Sequence, residues 1–151
     1  MRENWYTAHM HLFIIPLIVM LVTQAIKLFR EYQRGTFAWS HVNSYGGMPS
    51  SHAALVTSLA ATIGHYEGFD SAAFAVALIF LVIILRDALG FRFQLGIHGK
   101  MINQLVKELP DREEYKFPIL TERLGHTLPE VGVGMLVGLI LTWIAIALYG
   151  G

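Results

Sequence analysis

Four short clusters in this chain bring together residue types that can do chemistry. The first is Gly46-Gly47-Met48-Pro49-Ser50-Ser51-His52, directly ahead of an apolar helical stretch. Its glycines permit unusual backbone angles, and Pro49 with Ser50 or Ser51 makes a helix start. A helix N-terminus offers free N–H groups and a positive dipole end to an anion, and His52 falls in that first turn. A capped helix with a chance histidine is the bland reading of the same residues. The second cluster is Lys27 and Arg34, seven residues apart and so two turns apart on one face if the helix runs that far. One supplies a point charge and the other a planar fork for a phosphate, although cations at a helix end also snorkel to an interface.

The third cluster is His126-Thr127-Leu128-Pro129-Glu130-Val131. His126 and Glu130 stand four apart, where a carboxylate can hold an imidazole's orientation and tautomer. A histidine backed in this way is a usual activated base or nucleophile. A carboxylate capping a helix start gives the same spacing. The fourth is Arg86-Asp87-Ala88-Leu89-Gly90-Phe91-Arg92, in which Asp87 needs a partner if it lies near hydrocarbon and Arg92 is another anion ligand.

The elements that must position these groups are set by composition. The chain has 151 residues, 11 Lys+Arg, 11 Asp+Glu and no cysteine, and only 15% of it is charged. An ordinary soluble domain carries roughly 25%. Mean hydropathy is +0.50. A neutral, charge-poor chain lacks the basic surface that nucleic acid requires, so no nucleic-acid partner is expected. Without cysteine there is no disulfide, thiolate nucleophile or Cys-type zinc site.

Three segments approach the roughly 20 residues that cross a bilayer, from about 12 to 29, 71 to 89 and 131 to 149. A fourth, from 52 to about 66, is shorter and rich in small residues. The first is read as a span and not a cleaved signal peptide, because its apolar run is long and no small-residue cleavage site follows. Residues 87–130 hold seven of the 11 acidic residues and must be aqueous or interfacial. Within them, Leu95, Ile97, Met101, Ile102, Leu105, Val106 and Leu109 recur at helical spacing, which predicts an amphipathic surface helix over about 95–109. The expected fold is a single all-α domain over residues 1–151. It is an integral membrane helical bundle of about four transmembrane helices plus an amphipathic interfacial helix.

Four crossings sort the loops onto two faces, one with Arg2 alone and the other with the remaining ten Lys and Arg. The positive-inside rule makes the second face cytoplasmic. Lys27, Arg34, His52, Arg92, His126 and Glu130 all fall on that face. Cations to spread phosphoryl charge, a helix start and two histidines are what phosphoryl transfer needs.

The blocks GGMPSSHAA, DALGFR and LGHTLPEVGVG closely resemble the divergent type-2 phosphatidic acid phosphatase family, membrane relatives of acid phosphatases and vanadium-dependent haloperoxidases. The resemblance runs from about Gln24 to Gly138. It implies a metal-independent, cofactor-free lipid phosphatase working through a phosphohistidine. In the wider superfamily's first block, Lys-six residues-Arg-Pro, Lys27 and Arg34 match while Gly35 replaces the proline. Pro49 to His52 resembles Pro-Ser-Gly-His with Ser51 in the glycine's place, implying His52 as general acid and Ser50 and the Ser51 amide as phosphate donors. His126 to Val131 resembles the third block, with Glu130 for its aspartate, implying His126 as nucleophile.

That block's arginine, six residues before the histidine, is here Leu120; the DALGFR block suggests Arg92 instead. A rival takes Arg92 and His98 as the arginine and histidine pair, but Ile102 stands where a carboxylate belongs, with Asn103 one place off. His126 is preferred, and Asp87, His98 and Asn103 remain secondary candidates.

These features place the protein in a bacterial plasma membrane or a plastid-type membrane, with phospholipid phosphate and the bilayer as partners. A cytoplasmic site favours phosphatidylglycerophosphate or phosphatidic acid over an outward-facing polyprenyl diphosphate. Gly134 and Gly138 form a small-xxx-small pair that could pack spans within the chain or between two copies, leaving a homodimer open. Two other functions compete. One is a lipid-phosphate binder or transporter using the same basic pocket without turnover. The other is a histidine-metal hydrolase, which lacks HExxH or any clustered ligand set.

Overall fold

The computed structural model describes residues 5–35, 47–110, 117–122 and 124–149, and these fold into five helices. They are α1 (Trp5–Gln33), α2 (Ser51–Tyr66), α3 (Ala72–Leu89), α4 (Phe91–Glu108) and α5 (Leu128–Tyr149). Gly46, Arg123 and the charged residues 111–116 lie outside the described residues. The four apolar segments correspond to α1, α2, α3 and α5. The amphipathic helix starts at Phe91, four residues earlier than the apolar spacing alone suggests.

Three stretches are long and apolar enough to cross a membrane: Met10–Gln33, Ala72–Glu108 and Leu128–Leu148. The apolar part of the second is α3. Pro16 lies inside α1 without ending it, as membrane helices allow where neighbours satisfy the freed backbone. Only Ala77 and Ala88 of α3 are buried, and Val76 is 69% exposed. Such a surface would be a liability in water and is the natural one against lipid.

The helix α2 has 16 residues, or about 24 Å of length, and packs against α1, α3 and α5. Its small side chains make this possible. Ala54 joins Ile15 and Val19 of α1 and Ile146 of α5 in the apolar core. On the α5 side, Gly134 lies against Ser50, Gly138 against Ala54, and Thr142 against Ser58. Each pair is 84 apart, and each step is four residues on both helices. That constant offset makes α2 and α5 parallel, with both N-termini at one end.

A Cβ added at Gly138 would lie 2.7 Å from the Ala54 carbonyl oxygen and 2.8 Å from its Cα. Backbone cannot yield there as a flexible side chain would. The Thr142 hydroxyl donates to Gly138 O (2.7 Å) and shares a 2.6 Å hydrogen bond with the Ser58 hydroxyl. The small-xxx-small pair therefore packs within the chain. Gly138→Val is expected to cost about 1–3 kcal/mol or more from overpacking, seen as a lower thermal midpoint in detergent. Gly132→Ala, with nothing within 4 Å of its added Cβ, should leave the midpoint in place.

Candidate functional site

The parallel α2 and α5 bring two helix N-termini together, and the Ser50 N–H donates to Glu130 O (3.2 Å) across the joint. Ser50 caps α2, its Oγ accepting from Ala53 N at 3.3 Å. Ser51 and His52 are the first two helical residues. Gly47 has φ +92°, the left-handed region that glycine alone enters cheaply. A side chain there would meet Lys27 Cε at 3.0 Å and Glu31 Oε1 at 3.4 Å.

Lys27 itself is only 3% exposed. A lysine that deep is not snorkelling to an interface. Its charge, with those of Arg92 and Asp87, acts on His52. Arg92 follows the break at Gly90 between α3 and α4, and its Nε donates to Asp87 Oδ2 at 2.6 Å. Asp87 is thus the partner that fixes Arg92 one helical start away from its own position.

His126 is buried and enters from the loop before α5. Its backbone N–H donates to Ala88 O at 3.0 Å, filling one of the carbonyls that a helix leaves open at its C-terminus. The preceding Gly125 has φ +82°, and a Cβ there would fall 2.4 Å from Phe93 N. The chain can reach this position only with glycine. Glu130 Oε2 accepts the Thr127 N–H at 2.8 Å and stands 3.5 Å from His126 Nδ1, longer than a good hydrogen bond. The capping role and the histidine-facing role of Glu130 are therefore one arrangement.

Burial pushes the His126 imidazole below its ordinary value of 6.5, Glu130 opposes that, and Lys27 and His52 add to it. At neutral pH its dominant form is the uncharged imidazole that a nucleophile needs. A cavity of about 290 Å³ lies on the α4 side of His126, with Gly47, Ile97, Lys100 and Glu130 on its wall. His52, Lys27 and Arg92 are not on that wall. Lys27 is the cation whose charge acts on both histidines.

Ser50, Ser51, His52, His126 and Glu130 thus stand at the joined N-termini of α2 and α5, with Lys27 of α1 and Arg92 at the start of α4 acting on His52. Arg34 is not among the charges acting on either histidine. It stands exposed on the turn after α1, which ends at Gln33. His98 is exposed on α4 and acts on neither histidine. Asn103 is buried and bonded to the segment leading to His126, as described below. Among the described residues no three His, Asp or Glu side chains are grouped to hold a metal ion. Spacing missed Glu31, one turn after Lys27, whose only signal was that i,i+4 relation, and Lys100 on the cavity wall.

An all-helical membrane bundle with His52, His126 and the buried Lys27 toward one end defines the class. Residues 8–141 match the family model described as the divergent PAP2 family, and the chain belongs to that family. It is 44% identical over 115 residues to YuiD, an uncharacterized membrane protein of Bacillus subtilis (strain 168). The match covers 69% of this chain and 73% of YuiD. No solved structure matches.

Proposed function

We propose that the protein is a metal-independent lipid phosphate phosphatase acting through a phosphohistidine at His126. One observation carries this reading: the Ser50 N–H to Glu130 O bond (3.2 Å) joins the α2 start that bears His52 to the α5 start that His126 precedes, and the charge of Lys27 acts on both histidines. With Glu130 at Nδ1, Nε2 is the nitrogen left to attack phosphorus. The phosphoryl oxygens rest on Lys27, Arg92 and the α2 start at Ser50 and Ser51. Breaking the P–O bond sends the electron pair to the leaving oxygen, which takes a proton from His52. Water then attacks the phosphohistidine, giving His52 its proton back and releasing phosphate and free His126.

The ten-to-one division of Lys and Arg between loop sets supports a site on the cytoplasmic face. That placement favours phosphatidylglycerophosphate or phosphatidic acid as substrate. The test is phosphate release from a panel of lipid phosphates by purified protein in detergent containing a chelator, with vanadate as inhibitor. Vanadate-sensitive release in chelator is the expected result; no release from any lipid phosphate overturns the proposal. Binding or transport without turnover has one observation in its favour, the exposed position of Arg34 away from the histidines. It predicts lipid-phosphate binding with no release.

Lys27→Met gives a sharper expectation. A hydrogen bond to a charged group contributes about 1.5–3 kcal/mol, so KM should rise roughly 10- to 150-fold. The acid limb of kcat/KM, set by protonation of His126, should lie below pH 6.5 in the parent because the imidazole is held low. Removing Lys27 takes away one of the influences holding it low, so the limb should move up toward 6.5. A limb that stays put or moves down contradicts the assignment.

A further inference from the structure

The amphipathic helix α4 has one face that is occupied by protein. Asn103, 8% exposed, makes three hydrogen bonds to a segment some 17–19 residues away in sequence. Its Nδ2 donates to Leu120 O (2.8 Å) and to Glu122 Oε1 (3.0 Å), and its Oδ1 accepts from Leu120 N (2.9 Å). One amide side chain thus reads both backbone groups of Leu120, as a strand partner would, and also holds a carboxylate.

The same face has no side chain at Gly96 and Gly99. A Cβ at Gly96 would lie 2.7 Å from Glu122 O, and one at Gly99 2.9 Å from Thr121 O. Positions 96, 99 and 103 follow helical spacing, so they form a rail on which Leu120, Thr121, Glu122 and Leu124 lie. The segment ends at Gly125 against Phe93, and the next residue is His126. Leu120 and Glu122 are held by Asn103, Leu124 lies against Gly96, and Gly125 lies against Phe93, so described residues on both sides of position 123 lead along α4 toward His126.

We propose that Asn103, through Leu120 and Glu122, sets the position of His126, making it a positioning residue for the site. In its activity readout this rests on the phosphatase reading above; in its histidine readout it does not. Asn103→Asp removes the donor to Leu120 O and puts a carboxylate against that of Glu122. Adding Glu122→Gln returns a donor, since the glutamine amide can give a hydrogen bond to the new aspartate.

The experiment compares parent, N103D and N103D/E122Q in detergent by phosphate release, circular dichroism and NMR titration of ¹³C-labelled histidines. Small misplacement of a reacting group costs up to about 100-fold. N103D should therefore lower kcat at least about tenfold with KM within about twofold and helix content unchanged, and the double variant, which restores the bond to residue 122 but not that to Leu120 O, should recover part of kcat. The His126 titration, governed by burial and by Glu130, Lys27 and His52, should move toward the ordinary imidazole value in N103D and return part of the way in the double variant. Unchanged kcat and titration, loss of helix content in N103D, or no recovery in the double variant overturns the proposal. If the parent releases no phosphate, the phosphatase reading fails, and the His126 titration alone decides the role of Asn103.

Discussion

Replacing His126 with alanine is expected to remove phosphate release, by at least about 10³-fold in kcat as for loss of other catalytic nucleophiles, while lipid phosphate still binds. The residues proposed to hold the phosphoryl oxygens are on other elements: Lys27 on α1, Ser50 and Ser51 at the start of α2, Arg92 on α4. The His126 backbone N–H that bonds to Ala88 O is retained in alanine, as is the left-handed Gly125 before it. Equilibrium binding of a lipid phosphate should thus change little while turnover is lost. Retained turnover in H126A would remove His126 from the chemistry.

His52→Ala should lower kcat by roughly 10²- to 10⁴-fold, the span typical of a lost general acid. The loss should depend on the leaving group. An alkoxide needs its proton as the bond breaks, whereas a nitrophenolate leaves without one. With p-nitrophenyl phosphate the H52A variant should retain most of the parent's rate of the first step, and with an aliphatic lipid phosphate it should not. Equal losses on both substrates would mean that His52 supports the helix start and does not move a proton.

The apolar spans were legible because lipid selects long runs with few charges, and α1, α3 and α5 follow those runs closely. The helix start at Ser50 was equally legible, since Pro-Ser-Ser chemistry is local. The parallel packing of α2 on α5 was not. The spacing of Gly134 and Gly138 announces a close contact, but only the matching Ser50, Ala54, Ser58 row says with which helix and in which direction. The rail on α4 was hidden for a similar reason. Gly96 and Gly99 look like weak points in a helix, but Glu122 and Leu124 lie against the first and Leu120 and Thr121 against the second. Asn103 came to notice only as a residue beside the place where a carboxylate belongs, and its three bonds are all to residues distant in sequence.

Arg34 illustrates the opposite case. Seven residues from Lys27, it satisfies a motif by count, yet the helix stops one residue short and leaves it exposed. Arg92 satisfies no such count, yet its charge acts on His52 from beyond the break at Gly90, where Asp87 holds it. Spacing predicts placement where a helix is continuous. At a helix end, the turn decides.

The most direct measurement is to quench the protein in alkali during turnover of a ³²P-labelled lipid phosphate and locate the label by peptide mapping. An acid-labile, base-stable phosphate on His126 is the expected result. Label on His98, or phosphate release with no labelled histidine at any time of quench, would contradict it.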